Sequence, residues 1–329
     1  MKQKIFFLFF ITTLLAACST GQVPTPINSA TEEPLPASRQ PIVVSASEPT
    51  LAPVVDTPTL ASTPTSKPPL ATPALAGGAR EDAWMQMPVV PTGVSDTMRE
   101  VYQRGLANGN DPTHFSIIGD CQNVSSYFLS TFDKPGDFSL GTQYTYLQPT
   151  IDYYQGSYSR ISLAVKGGFN AAAVISPLRA DKKSCNPNES PLDCELRTWK
   201  PSVVFVSMET WWSHKPAVEY DKYMRKVLDR IIETGAVPII ATKADNLEGD
   251  NSINATVAQL AYEYDIPMWN FWAAVHPLPD HGLSPDGFHL TFARNFFDDT
   301  KRMESAWPWR NLTALQTLDA VHKGLTGQE

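Results

Sequence analysis

The sequence predicts an α/β domain in which a parallel sheet is wrapped by helices on both faces. Three observations predict it. Two continuous apolar runs, 201–207 (Pro-Ser-Val-Val-Phe-Val-Ser) and 236–242, read as strands buried on both faces. Tyr220, Met224, Val227, Leu228 and Ile231, and then Ile253, Val257, Leu260, Ala261 and Tyr264, recur at helical spacing around the second run. A further apolar run, 115–119, stops abruptly at Gly119-Asp120-Cys121, as a buried strand does where it turns sharply at the rim of a sheet. Strands alternating with helices imply parallel pairing.

The remaining elements follow in order. Residues 122–131 read as the helix after the first strand. Residues 160–166 read as a second strand, ending at Gly167-Gly168, and 170–175 begin a helix. Gly235 closes the helix that carries Tyr220 to Ile231. Residues 266–271 read as the last strand, and the chain from Ala293 onward reads as helical, broken near Trp307-Pro308. In such sheets the site lies at the carboxyl ends of the strands. Cys121, Gly167 and Glu209 fall just past strand ends, and Asp286 and His289 fall in the last long loop.

The first 91 residues have a different character. Lys2 and Lys4 precede an apolar run, 5–15, which is too short to span a bilayer comfortably. Leu15-Ala-Ala-Cys18 then resembles a bacterial lipobox, which implies a signal peptide over 1–18, lipidation of Cys18 and an anchor on the outer face of the membrane. Half of the 28 prolines lie before residue 92, and no aromatic residue occurs between Phe10 and Trp84. A Pro/Thr/Ser-rich stretch of this kind cannot offset its ordering entropy by burial, so 19–91 reads as a disordered, extended linker. At about 3 Å per residue it could reach on the order of 200 Å. Residues 92–329 are left for one domain with a sizeable core.

The net charge of −8, with no basic stripe, zinc-finger spacing or glycine-rich phosphate loop, gives no sign of nucleic-acid binding. Four cysteines are present. Beyond Cys18, Cys185 and Cys194 bracket a polar, proline-containing loop, and in an exported protein a disulfide closing it is the natural reading. Cys121 then remains as a thiol, which in such a protein is either well buried or reactive.

Taken with their order, these segments resemble the SGNH (GDSL-type) hydrolases, a group of esterases, lipases, carbohydrate deacetylases and acyltransferases. Ile-Ile-Gly119-Asp120-Cys121 resembles the first block, where the family carries its nucleophilic serine. Val165-Lys-Gly167-Gly-Phe-Asn170 resembles a worn second block. Residues 200–210 resemble the third, and Leu283-Ser-Pro-Asp286-Gly-Phe-His289-Leu-Thr291 resembles the last closely. The resemblance implies a flavodoxin-like, three-layer α/β/α fold. It implies Cys121, His289 and Asp286 as nucleophile, base and orienting acid, with the backbone of Gly167 at the oxyanion. It implies no cofactor and no metal, and an acyl-ester substrate.

Two departures leave the chemistry open. A thiol stands where the family has serine. Beside an imidazole it is a capable nucleophile, but it can also fill the serine's space as a small hydrophobe. Glu209 stands where the family has an asparagine that donates to the oxyanion. An ionised carboxylate there repels the same charge, whereas a protonated one donates, and one turned away meets a substrate hydroxyl or amine. Trp211 and Trp212 suit either a sugar-stacking groove or the edge of the core. Two functions therefore stand: a cell-surface esterase or acyltransferase acting on acyl esters, including those of polysaccharide, and an inactive relative that binds a glycan or cell-wall component.

Overall fold

The structure, a computed structural model, describes residues 82–208 and 216–328. The expected signal, Cys18 and the expected linker up to residue 81 lie outside the described residues, as do Glu209, Trp211, Trp212 and His214. A short turn over Ala83–Gln86 precedes α1 (Asp96–Ala107) and β1 (Asp111–Gly119). An irregular stretch follows, carrying β2 (Phe138–Ser139), α2 (Gln148–Tyr153) and α3 (Ala171–Val174). Then come α4 (Pro191–Trp199), β3 (Pro201–Ser207), α5 (Pro216–Glu233), β4 (Val237–Ala241), α6 (Ser252–Tyr264) and β5 (Met268–Trp269). The chain ends with α7 (Phe271–Val275), β6 (Asn295–Phe296) and α8 (Ala306–Thr326).

The main sheet is parallel, with strand order β1-β3-β4-β5. Ile117 pairs with Phe205, and Phe205 with Ile239. On the far side of β1, one parallel bridge joins Gly119 to Val165. That bridge occupies the place of a second strand, which makes the order 2-1-3-4-5 and the architecture flavodoxin-like. Right-handed crossovers in this order place α4, α5 and α6 on one face and α8, with α1, on the other, giving three layers. Every residue of β3 is buried, as a central parallel strand requires. The period of two sorts its side chains. Phe205 faces the α8 layer, where it meets Phe128 and Trp269, and Trp269 donates Nε1–H to Thr313 of α8 at 3.0 Å. Ser116, one residue out of phase with Phe115, reaches Glu195 of α4 on the opposite face.

Several sequence expectations need correction. Residues 122–131 form no helix. A three-residue turn, Cys121–Asn123, and a second turn, Ser130–Asp133, flank an irregular link in which Leu129 is left-handed at φ 61°. The Leu129 N–H goes to the Asn311 side chain of α8 at 2.6 Å, so tertiary hydrogen bonding replaces the helical ladder. Residues 160–166 form only the bridge at Val165. Their backbone is held by side chains instead, with Leu163 N–H on Glu195 Oε2 at 2.8 Å and Ala164 N–H on Ser162 Oγ at 3.1 Å. Fully buried Glu195 is itself paired with Arg160, whose guanidinium lies over Trp199. The last strand covers two residues rather than six. The final helix starts at Ala306, not Ala293, so Pro308 sits in its first turn, where a missing N–H costs nothing, and starts the helix rather than breaking it. Packing also begins before residue 92. Trp84 is buried edge-on against Trp272, and Asn270 Nδ2 donates to the Trp84 and Met87 carbonyls.

Candidate active site

β1 delivers its last residue, Gly119, to a crowded spot. A Cβ there would lie 2.2 Å from Asn123 Nδ2 and 2.6 Å from the Ser207 carbonyl oxygen. Only glycine lets the chain turn back this tightly beneath β3. Asp120 is fully buried and caps the turn, its Oδ1 accepting from Gln122 N–H at 3.1 Å and from Asn123 Nδ2 at 3.4 Å. Asn123 Nδ2 also donates to the Ser207 carbonyl at 2.9 Å. From α8, Arg310 Nη2 donates to Asn123 Oδ1 and Ser207 Oγ, both at 3.1 Å. Arg310 is fully buried, with its guanidinium carbon 4.8 Å from the Phe128 ring centre and 4.9 Å from that of Phe271. This network fixes the turn from below and leaves Cys121 half-buried at its top, as a thiol outside the disulfide.

Gly167 comes beside that thiol. A Cβ built on Gly167 would lie 3.9 Å from Cys121 Cβ. Backbone bonds hold the approach: Gly119 N–H donates to Ala164 O at 3.2 Å, and Lys166 N–H donates to Gly119 O at 3.3 Å. The site therefore has its second-strand backbone without the second strand.

The last loop supplies an imidazole and a carboxylate already joined. His289 Nδ1 lies 2.6 Å from Asp286 Oδ2. Asp286 Oδ1 accepts from the N–H groups of Phe288 at 3.0 Å and His289 at 2.9 Å. The bond to His289, followed by these backbone bonds, pulls the Asp286 pKa down to about 2. An ionised carboxylate only accepts, so Nδ1 must carry the proton, and Nε2 of a neutral ring is left as the base. Both side chains are open to solvent, at 61 % exposed for His289 and 50 % for Asp286. The loop is closed by Ser284 N–H on His289 O at 2.7 Å and turned at Gly287, φ 69°.

One bond joins the two halves. Gln122, the neighbour of Cys121, donates from Nε2 to the carbonyl of Phe288, the neighbour of His289, at 3.0 Å. Gly167 thus lies beside Cys121, and the loop that carries Asp286 and His289 is tied to the same turn through Gln122. Glu209 lies outside the described residues, two positions beyond Ser207. Cys185 and Cys194 are joined by a disulfide. They also form a metal-like cluster with Glu189, but its donors are engaged, the sulfurs with each other and the carboxylate with Arg197.

Asn123, Gln122, Glu195 and Arg310 escape sequence reasoning. Nothing local separates a buried arginine in a helix from an exposed one. Only Gln122 and Asn123, one and two residues past the thiol in the same short turn, carried a positional hint.

No protein-family profile matches the chain, and no curated protein matches it. Among solved structures, the chain is similar to one described as a lipolytic protein of the G-D-S-L family from Desulfitobacterium hafniense. The identity is 14 % and the TM-score 0.36, over 62 % of this chain and 99 % of that one. It is also similar to a two-domain esterase active on acetylated mannans, crystallised with mannopentaose. There the identity is 13 % and the TM-score 0.39, over 73 % of this chain and 56 % of that one. The sheet order, rather than either likeness, carries the fold.

Proposed function

We propose that this domain cleaves or transfers acyl esters with Cys121 as nucleophile. The supporting observation is the Gln122–Phe288 bond, which ties the thiol-bearing turn to the loop holding the 2.6 Å Asp286–His289 pair. In this reading His289 Nε2 takes the thiol proton as sulfur attacks the acyl carbonyl. The tetrahedral oxyanion rests on the backbone N–H groups of Cys121 and Gly167. The alkoxide then leaves with the proton held on His289, and a thioester remains on Cys121. Water or a second hydroxyl, deprotonated by His289, attacks that thioester and releases the thiol. Asp286 fixes the imidazole tautomer throughout. No helix follows Cys121, so thiol activation falls to His289 rather than to a helix dipole. The N-terminal lipobox and linker would place the activity at the bacterial cell surface, where polysaccharide esters are the accessible substrates.

A binding-only reading is favoured by one observation, the solvent exposure of the Asp286–His289 pair, since solvent weakens the carboxylate's hold on the ring. Hydrolysis of p-nitrophenyl acetate by the full chain separates the two. Turnover lost in both Cys121→Ala and His289→Ala is expected. Equal, near-background rates in parent and variants, together with no acyl-thioester on Cys121 by mass spectrometry, would move the assignment to binding.

A further inference from the structure

Beside Gly167 the surface opens into a cavity of about 530 Å³, lined by residues of 162–169 and 179–183. Its volume lies within the roughly 300–1,000 Å³ typical of small-molecule sites. Leu163, Val165 and Phe169 supply an apolar floor. Lys166, Arg179, Lys182 and Lys183 line it as well, and all four are exposed. Between residues 166 and 183 these four cations face one carboxylate, Asp181, in a chain whose net charge is −8. The Asp181 carboxylate accepts from Lys183 N–H at 3.0 Å and Ser184 Oγ at 3.1 Å within its own turn, and the charges of Lys183 and Lys166 act on it more weakly through space. Among the described residues none of the four cations lies within ion-pair distance of a carboxylate, and the nearby ion pairs involve Arg160 and Arg197 instead.

The cation-bearing loop is also held in place. Ser184 and Cys185 N–H both return to the Asp181 carbonyl, at 3.1 and 2.9 Å. Cys185 is bonded to Cys194, which is fully buried in α4. Lys182 and Lys183, with Arg179 just before them, are thus presented on a braced loop beside the apolar lining, so a ligand that meets them need not order the loop first. Val165 and Lys166, also in the lining, belong to the segment that bridges Gly119 and continues into Gly167 at the thiol.

We infer that this cavity is a subsite for an anionic glycan, one whose sugar units carry carboxylate or phosphate groups. Sugar faces would rest on Leu163, Val165 and Phe169, with the anionic groups meeting the lysines and Arg179. The inference rests on the acyl-ester reading in one respect: it takes the cavity as the seat of the glycan whose ester reaches Cys121.

The test measures binding to the full chain by calorimetry with three probes: an oligogalacturonate, an oligomeric glycerol phosphate and a neutral malto-oligosaccharide. One anionic probe should bind at least roughly tenfold tighter than the neutral one, and the preference should shrink as salt rises. The doubly substituted Lys166→Gln/Lys182→Gln protein should bind that probe roughly tenfold more weakly, since each lost contact with an anion is worth severalfold. Lys301→Gln, at an exposed lysine elsewhere, serves as control. Preference for galacturonate assigns a carboxylated glycan, and preference for glycerol phosphate assigns a phosphorylated one. Equal affinity for all three probes, or an anion preference that survives the double substitution, overturns the inference. Turnover of p-nitrophenyl acetate that depends on Cys121, without anion preference, removes the subsite alone. Anion preference in a chain with no such turnover keeps the subsite and removes the acyl-ester reading.

Discussion

Replacing Arg310 by methionine tests whether the buried network beneath the thiol holds the site. The guanidinium is fully buried, and its Nη2 serves two acceptors, Asn123 Oδ1 and Ser207 Oγ, at 3.1 Å each. Methionine fills part of the space beside Phe128, Trp269 and Phe271, over whose rings the guanidinium carbon lies, but leaves both acceptors without this donor. Hydrogen bonds from a charged donor contribute about 1.5–3 kcal/mol each, so losing both costs roughly 3–6 kcal/mol. For a domain of this size that corresponds to a fall in melting temperature of roughly 6–24 °C. Thermal unfolding of the full chain, followed by near-ultraviolet circular dichroism, reads it directly. Because Asn123 and Ser207 form the underside of the 119–123 turn, alkylation of Cys121 by iodoacetamide should also change rate. Arg310→Lys keeps the charge without the planar fork and should fall in between. A shift below ~2 °C for Arg310→Met, the size expected of an ordinary surface change, would refute the view that this network anchors the turn.

Four further outcomes are expected. Asp286→Asn removes the group that fixes the His289 tautomer, so kcat on p-nitrophenyl acetate should fall by roughly 10³–10⁴ with little change in KM, and an unchanged kcat would take Asp286 out of the mechanism. The pH dependence has a definite sign: Asp286 titrates lower folded than unfolded, so the pair's contribution is present above the ordinary carboxylate range. That contribution should fade as pH falls through about 2, a loss absent from Asp286→Asn in acid titrations of stability. Gly119→Ala drives a methyl group into Asn123 and the Ser207 carbonyl, both closer than 3 Å, and should destabilise the domain by about 1–3 kcal/mol or more in urea unfolding. Glu195→Gln breaks the buried pair with Arg160 and loosens the Leu163 backbone. Hydrogen exchange should rise across 160–166 before it rises in β3, whereas uniform exchange across both would count against a local role.

The sequence by itself determined the elements whose apolar residues run unbroken or recur at helical spacing and whose backbone bonds are local or strand-to-strand. The runs at 201–207 and 236–242 became β3 and β4, and the spacings of Tyr220 to Ile231 and Ile253 to Tyr264 became α5 and α6, because a strand buried on both faces and a helix buried on one each leave a pattern in the residues themselves. The positions of Cys121, Asp286 and His289 were legible for a related reason, since each belongs to a short motif at a strand end or in a loop. Only the tertiary structure decided what happens where backbone groups are satisfied at long range. Residues 122–131 read as a helix, but the Leu129 amide bonds to Asn311, which is 182 residues away. Residues 160–166 read as a strand, but Glu195 and Ser162 side chains take the bonds a neighbouring strand would have made. The same reason hid Arg310. A charge is buried because of what surrounds it in space, and its partners, Asn123 and Ser207, lie 187 and 103 residues away along the chain.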